Sequence, residues 1–233
     1  MSYSVTRNWL LRFSILALGF QGACKPEPRP NSVNFAFVIP VEITPSADTL
    51  ALGDTLWLTA NFSDSLLDLR SQRRYRLRRE DIELSSFLFF QRLPGAGQFP
   101  VGFAHGFTVV NQVGKLGEPS SSFRTFEPTY DGNHYHLRVG IVPQQRGVFA
   151  IGFLTQLKKP FGPFQPLPFI AVPLDGEGNP QRAFLDDIYF IVNQGKINFH
   201  VFQQHAYVTS LKPEAPEATV YYEQKANFAF VVR

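Results

Sequence analysis

From Val33 onward the chain is a succession of short apolar or alternating segments separated by turn residues, and this spacing constrains the fold more than any other feature. The segment Leu56–Phe62 (LWLTANF) places large apolar side chains on one face and small or polar ones on the other, which is typical of a half-buried strand. Phenylalanine strengthens this interpretation, because 24 Phe against one Met favours pleated surfaces over helices. We therefore predict an all-β chain folded as an antiparallel β-sandwich.

The turn residues divide this region into separate strand candidates. Pro40 interrupts the first of them and belongs at a bulge or an edge, since proline cannot donate to a β ladder. The loop Pro143–Gly147 has the length and composition of a hairpin connection. Apolar residues that recur about every four positions predict at most one short helix near 197–208, with Asn198 as its cap. The segments predicted as strands are Asn34–Ile43, Leu56–Phe62, Ile82–Leu93, Phe107–Val113, His134–Val142, Val148–Leu157, Phe169–Val172, Ile188–Val192 and Asn227–Val232.

The N-terminal segment has the features of a secretion signal that ends at a lipidation site. Arg7 and Arg12 supply a positive region, Phe13–Phe20 supplies an apolar stretch, and a small-residue region precedes Cys24, the only cysteine. The apolar stretch is too short to span a bilayer, which takes about 20 helical residues. The arrangement resembles a bacterial lipoprotein signal, which implies that a signal peptidase cuts before Cys24 and that the cysteine carries the lipid.

This interpretation divides the chain into three regions. Residues 1–23 are expected to be a lipoprotein signal peptide, residues 24–32 a stiff proline-rich tether, and residues 33–233 a single β-sandwich domain. An ordinary signal peptide or a chemically idle thiol is the alternative to lipidation. The expected location is the bacterial cell envelope, at the outer membrane, where the partner of the lipid on Cys24 is the membrane itself.

The charge balance of the mature chain argues against a nucleic-acid partner. The full chain has 22 basic and 19 acidic side chains, but Arg7 and Arg12 leave with the signal, so the mature chain is close to neutral. A domain without a net positive field has nothing to steer it toward phosphates. With its one cysteine lipidated, the chain also forms no internal disulfide and depends on apolar burial for stability.

Several stretches resemble the surface lipoproteins of Bacteroidota-type bacteria. They are the Cys24 site, the proline-rich tether, Asp48–Phe62 (DTLALGDTLWLTANF) and Arg146–Phe153 (RGVFAIGF). The resemblance is better in the first half of the chain, and its motifs are not catalytic. It implies a location at the cell surface and an immunoglobulin-like or related β-sandwich, and it implies no activity.

Two histidines are the first candidate for metal chemistry. His134 and His136 lie two residues apart in a predicted strand, so they share one face, and Asp131 lies just before them in a turn. A metal site needs three or four ligands, and the remaining histidines have no spacing that places them nearby. Solvent-facing histidines on an open sheet face are the alternative.

A loop of oxygen ligands is the second candidate. Pro180 stands where a calcium loop requires glycine for its sharp turn, and the twelfth position is Asp rather than the usual Glu. We therefore predict no cofactor, with calcium in a different type of loop as the alternative to a plain polar turn. The residues at positions one, three, five and twelve of the pattern are Asp175, Glu177, Asn179 and Asp186.

Two segments are candidates for partner binding. An arginine run alternates with Tyr75 and Leu77, so its guanidinium groups are expected on one strand face, where they either bind an anionic glycan or form a solvated edge. A segment with four prolines, Pro160–Phe169, carries phenylalanines that either fold back over the sandwich or form an exposed patch for a partner. The residues concerned are Arg74, Arg76, Arg78, Phe161, Phe164 and Phe169.

No catalytic motif stands out in the chain. It contains no G-x-S-x-G, no H-E-x-x-H and no phosphate-binding glycine loop. Our first hypothesis is a lipid-anchored envelope β-sandwich that acts as a binding or structural module, with an accessory subunit of an outer-membrane complex as one role and an envelope protein or glycan as its partner. The alternative is an envelope hydrolase or metal-binding protein that uses His134, His136 and loop carboxylates.

Overall fold

The computed structural model describes residues 32–77, 86–155, 174–179 and 181–233. These residues belong to two units. One is a β-sandwich within 32–172 and 182–233, and the other includes the short polar loop at 174–179.

The first sheet of the sandwich is built around one long strand, β1, that runs through its centre. Its described strands follow the order β11-β12-β3-β1-β4-β5, with β14 also paired to β1 and β8 to β12. The strands of this sheet are β1 (Ser32–Thr44), β3 (Leu56–Ser63), β4 (Ser65–Asp68), β5 (Arg74–Arg76), β8 (Phe107–Val113), β11 (Thr129–Tyr130), β12 (His134–Pro143) and β14 (Arg182–Val192).

The second sheet lies across the core from the first. Its described strands follow the order β2-β15-β13-β6-β10-β9, and β7 also pairs with β6. The strands of this sheet are β2 (Thr49–Leu50), β6 (Ser86–Arg92), β7 (Val101–Gly102), β9 (Lys115–Leu116), β10 (Phe123–Glu127), β13 (Gly147–Thr155) and β15 (Asn227–Val232). The chain is therefore an all-β sandwich, as its alternating pattern predicted.

Strand β1 is paired along both of its edges. On one edge it runs parallel to β14, from the pair Ser32 and Arg182 to the pair Val41 and Val192. On the other edge it is antiparallel to β4 near Phe37 and to β3 from Glu42 to Thr44. Pro40 falls between these two antiparallel stretches, where the ladder needs no donor from it.

Phenylalanine rings join the two sheets. The Phe190 ring of β14 stacks on Phe153 of β13 with their centroids 4.8 Å apart and meets Phe126 of β10 edge to face at 5.8 Å. Farther along, Phe107 of β8 contacts Phe90 of β6 at 5.0 Å. All five side chains are buried, so the excess of phenylalanine in the sequence fills the space between the sheets.

Two helices lie outside the sheets. Helix α1 (Phe199–His205) packs Val201 and Phe202 onto Ala150 and Ala229 of the second sheet. Helix α2 (Glu217–Gln224) lies at the side of the sandwich, with its main contacts to β13, β14 and β15. Within the described residues, neither helix is long and apolar enough to cross a membrane.

Helix α1 falls within the segment predicted to be helical, whereas α2 was not predicted. Helix α2 has no apolar stripe to reveal it, since its only buried residue is Glu223. That carboxylate accepts hydrogen bonds from the N–H groups of Thr209 and Ser210 at 3.1 and 2.7 Å, so a polar contact docks the helix.

The predicted hairpin at Pro143–Gly147 is wrong. Strands β12 and β13 flank this loop, but β12 pairs with β3, β8 and β11, and β13 pairs with β6 and β15. The loop therefore crosses from one sheet to the other. A short loop can join two strands of one sheet in a hairpin or two strands of different sheets in a crossover. The packing of the core determines which of the two connections forms, because it fixes which face each strand buries.

Candidate binding face

The two outer faces of the sandwich differ in how they are covered. Helix α1 packs on the second sheet, and the Tyr222 ring of α2 lies over Gly152 of β13. Among the described residues, neither helix makes an extensive contact with β1, β3 or β12. We call the outward side of these three strands the open face.

The register of the strands fixes which side chains are neighbours on the open face. Glu42 of β1 lies opposite Thr59 of β3, and Thr59 in turn lies opposite Arg138 of β12. In the next row, Thr44 lies opposite Trp57. The inward neighbours of these positions belong to the core, so the strand alternation places the polar groups outside.

A groove of about 730 Å³ runs along one end of the open face. Its floor comes from β1 and β3, and one wall comes from the end of β14 and the turn that follows it. A volume of this size is within the range of small-molecule binding sites. The groove is lined by Val38, Pro40, Val41, Glu42, Ile43, Thr44, Ser46, Thr59, Asn61, Ile191, Asn193, Gln194 and Lys196.

Asn193 fastens the wall of the groove to its floor. The Ile43 N–H donates to Asn193 Oδ1 at 2.7 Å, and Asn193 Nδ2 donates to the Ile43 carbonyl at 3.0 Å. Asn193 and Gln194 both have positive φ angles, 48° and 57°. Asparagine tolerates this left-handed backbone better than glutamine, so the turn holds Gln194 in an unfavourable conformation beside the groove.

Apart from Asn193, which bonds to Ile43, three polar side chains of the groove make no polar contact within the described part of the sandwich. Among the described residues, the side chains of Glu42, Asn61 and Lys196 have no hydrogen-bond or ion-pair partner, although Glu42 and Lys196 carry opposite charges. Their donors and acceptors are therefore available to a ligand.

The aromatic ring of Trp57 and the guanidinium group of Arg138 border the groove on the side of β12. Gly140 makes room for the Trp57 ring, because a Cβ at this glycine would lie 3.3 Å from Trp57 Cζ3. The Arg138 guanidinium lies 4.8 Å from the centre of a Trp57 ring, and Arg138 Nε donates to Gln112 Oε1 at 2.9 Å. This cation–π pair forms a flat platform next to Thr59.

The predicted histidine pair lies on the same sheet, at the far end of β12. His136 Nε2 lies 2.9 Å from Asp131 Oδ2, and the His134 and His136 rings are 6.1 Å apart. Asp131 Oδ1 also accepts hydrogen bonds from the N–H groups of Asn133 and His134. The His136 hydrogen bond, followed by these backbone bonds, lowers the pKa of Asp131 well below its usual range.

No metal site forms around this pair in the part of the chain that the structure describes. There, no group of three or more His, Cys, Asp or Glu side chains is placed to hold a metal ion. Asp131 instead ties the turn before β12 to the strand.

The predicted arginine strand is β5, and its side chains bond within the first sheet. Arg76 Nε donates to Asp64 Oδ2 at 2.9 Å, and the Tyr130 hydroxyl donates to the same oxygen at 2.9 Å. Asp64 is buried, and its hydrogen bond to Arg76 raises the pKa of the guanidinium. Arg74 donates to the Ser65 carbonyl at 2.7 Å. These bonds hold β5 against β4 and engage both arginines.

The predicted calcium loop forms a turn in which Asp175 bonds to backbone N–H groups. Asp175 Oδ1 accepts hydrogen bonds from the N–H groups of Glu177 and Asn179 at 2.9 and 2.8 Å, as in an Asx turn. Asn179 Nδ2 lies 3.4 Å from Glu177 Oε2. The Asp186 side chain lies outside what the structure describes.

The remaining predicted site residues also lie outside the described residues. They are Cys24, Arg78, Phe161, Phe164 and Phe169.

Sequence reasoning did not identify the groove. Thr59 and Asn61 were visible as the polar positions of an alternating strand, and Asn193 and Gln194 follow a strand. Nothing in the sequence brings these two segments together, because they are separated by more than half of the chain and meet only across β1.

No family model matches the chain. A search of curated proteins also finds no match.

Three solved structures that resemble the chain are cohesin modules. A non-cellulosomal cohesin from the hyperthermophilic archaeon Archaeoglobus fulgidus is 9% identical, over 72% of this chain and 98% of its own, with a TM-score of 0.21. The type II cohesin dyad from the adaptor ScaA scaffoldin of Acetivibrio cellulolyticus is 10% identical, over 66% of this chain and 46% of its own, with a TM-score of 0.23. The second type II cohesin module of that scaffoldin is 10% identical, over 66% of this chain and 94% of its own, with a TM-score of 0.22. Similarity at this level carries no argument about a shared site, so the open face is interpreted from this chain alone.

Proposed function

We propose that this protein is a lipid-anchored recognition module of the bacterial cell envelope that binds its ligand in the groove of the open face. One role for such a module is that of an accessory subunit in an outer-membrane complex. The observation that supports binding is the groove itself, which combines a suitable volume with polar side chains that have no partner among the described residues.

The alternative, an envelope hydrolase or metal-binding protein, has no specific observation in its favour. His136 bonds to Asp131 at the end of β12, and the Asp175 carboxylate bonds within its own loop. In the described residues these groups do not converge on one site.

The anchor is tested by mass spectrometry of the mature N-terminus from native membranes. We expect Cys24 as the first residue, carrying a diacyl or triacyl modification. An unmodified N-terminus that is released from membranes without detergent would contradict the anchor.

The binding face is tested by blocking the groove. In a Cys24→Ser background the chain has no other thiol, so an Asn61→Cys variant takes a bulky polyethylene-glycol maleimide at the groove alone. A Gln204→Cys variant, labelled on the exposed side of α1, is the matched control. Envelope polysaccharide and outer-membrane protein fractions from the native host are then passed over the immobilised protein. We expect the groove label to abolish binding and the control label to preserve it. Equal binding by both labelled forms would place recognition elsewhere.

A further inference from the structure

The chemistry of the groove narrows the class of ligand, provided that the groove is the recognition site proposed above. We propose that the groove binds a neutral oligosaccharide, which lies across β1 and β3 toward the platform of Trp57 and Arg138.

The floor of the groove offers a peptide only a short strand edge, because the pairings of β1 with β4 and β3 leave just Ile39–Val41 between them. Strand β1 lies between β14 and β3, and β3 lies between β1 and β12. The backbone groups of Ile43 are bonded to Asn193. An extended peptide that adds to a sheet needs free backbone donors and acceptors along an edge strand, so the ligand must be recognised through side chains.

The charges of the lining favour a neutral ligand. Among the described residues of the lining, Glu42 and Lys196 are the only ones with ionisable side chains, and their charges are opposite. Phosphate and carboxylate ligands are usually bound by clustered arginines, which pair with them bidentately. The lining that the structure describes contains no arginine, and Glu42 would repel an anion.

The other polar groups of the lining are hydroxyls and amides, each of which both donates and accepts hydrogen bonds. They come from Thr59 and Asn61 on the floor and from Gln194 on the wall, together with Thr44 and Ser46, whereas the Asn193 amide is bonded to Ile43. Sugar hydroxyls also donate and accept, so they match this set. The planar carboxylate of Glu42 and the planar amide of Asn61 are suited to two neighbouring hydroxyls of one ring.

The apolar part of the lining fits the other side of a sugar ring. Val38, Pro40 and Ile191 form an apolar end of the groove, against which the C–H face of a ring can pack. In the opposite direction the face stays open past Thr59 to the platform of Trp57 and Arg138. Strands lie about 4.8 Å apart, so the path from β14 to β12 covers roughly 15 Å, which suits several linked sugars better than one.

Trp57 provides a direct reporter of binding. It is the only tryptophan after residue 23, because the other of the two in the chain is Trp9. Titration of the mature protein with maltohexaose, cellohexaose, xylohexaose and mannohexaose, followed by Trp57 fluorescence and by calorimetry, therefore reads out the groove and its border.

We expect at least one of these oligosaccharides to bind, with an affinity that changes less than about twofold between low and high salt, because no charge pair is screened. Glu42→Gln and Asn61→Ala should each weaken binding by at least about tenfold, which corresponds to about 1.4 kcal/mol. Glu214→Gln removes an exposed charge outside the groove and should leave the affinity unchanged.

The outcomes separate the ligand class from the binding site. If none of the four oligosaccharides binds, or if the Glu42 and Asn61 variants bind as tightly as the unmodified chain, the neutral-glycan proposal is overturned. Salt-sensitive binding of hexagalacturonate that depends on Asn61 would also overturn it, but would keep the groove as the site. Envelope binding that survives the groove label, by contrast, would overturn the proposed function itself.

Discussion

Asn227 shows how a single buried residue can lower the stability of the sandwich. It begins β15 opposite Gly152 and is fully buried, yet neither Nδ2 nor Oδ1 has a hydrogen-bond partner among the described residues. A buried amide without partners loses its bonds to water and gains none in return.

Replacing Asn227 by leucine should therefore stabilise the protein. We expect Asn227→Leu to raise the free energy of unfolding by about 1 kcal/mol, because the side-chain size is kept while the unpaired polar atoms are removed. Urea denaturation measures the change, and Asn61→Leu on the open face serves as the exposed control, with an expected change within about 0.5 kcal/mol. A loss of stability in Asn227→Leu would show that the amide has a partner.

Asp68 is a buried residue of the opposite kind, because its polar atoms are satisfied. Its carboxylate accepts hydrogen bonds from the N–H groups of Ala36 and Ser71 at 2.9 and 2.7 Å. Burial by itself would raise the pKa of this carboxyl, but hydrogen bonds from the Ser71 side chain and from backbone N–H groups lower it overall. The folded state thus favours the ionised form.

This lowered pKa makes the contribution of Asp68 depend on pH. The contribution is present above the ordinary value of 3.8 and is lost as the pH falls through the lower pKa of the folded state. We expect Asp68→Ala to destabilise the protein by about 2 to 3 kcal/mol at pH 7, and by less as the pH falls below about 4. Unfolding free energies of both proteins at several pH values test this, and a difference that is constant down to pH 2 would contradict it.

At the scale of elements, the turn after β14 determines the shape of the groove. Asn193 bridges this turn to Ile43 of β1 through two hydrogen bonds, and its positive φ angle needs a residue that tolerates the left-handed region. The bridge joins two segments that are far apart in the chain. It keeps the wall of the groove next to the floor.

Two substitutions distinguish how much the hydrogen bonds of Asn193 contribute to stability from how much its backbone conformation costs. Asn193→Gly removes the bonds but accepts positive φ, and should destabilise by about 1 to 2 kcal/mol. Asn193→Ala removes the same bonds and adds strain, so we expect a further loss of about 1 kcal/mol. Thermal or urea unfolding compares the two variants. Equal stabilities would mean that the conformation costs nothing, and no loss in either would mean that the bridge is unimportant.

At the scale of the whole molecule, the sandwich is held together by rings that cross between the sheets. Phe190 of the first sheet contacts Phe153 and Phe126 of the second. These contacts make the unfolding of one sheet depend on the other.

Removal of this central ring should weaken the entire sandwich. We expect Phe190→Ala to lower the free energy of unfolding by about 3 to 5 kcal/mol, as for other buried phenylalanines. Phe99→Ala is the control, because that ring is 70% exposed, and its cost should stay below about 1 kcal/mol. Denaturation curves followed by circular dichroism measure both, and similar losses would show that Phe190 does not join the sheets.

In the part of the sandwich that the structure describes, helix α1 covers one outer face, whereas the open face makes no extensive contact with either helix. Helix α1 covers apolar and small residues such as Ala150 and Ala229, which need burial. The open face carries Glu42, Thr59 and Arg138, whose polar side chains are well solvated when exposed. This difference in cover is the basis of both proposals made above.

Local pattern determined which segments are strands. Phe107–Val113 and Asn227–Val232 have the predicted bounds, and β3 and β12 extend only one residue past theirs, because the alternation of side chains is a local property of the chain. The helix near 197–208 was also predictable from its local sequence pattern. Helix α2 was not, because it lacks an apolar stripe and its one buried residue is Glu223.

Tertiary structure alone decided how the strands are arranged and where the groove lies. The sequence around Pro143–Gly147 cannot distinguish a hairpin from a crossover, because both satisfy the same local pattern. Likewise, Thr59 on β3 and Asn193 after β14 line the same groove only because β1 pairs with both of their strands. Alternation determines that a side chain points outward, whereas strand pairing between distant segments determines what it meets there, and the second is a property of the whole fold.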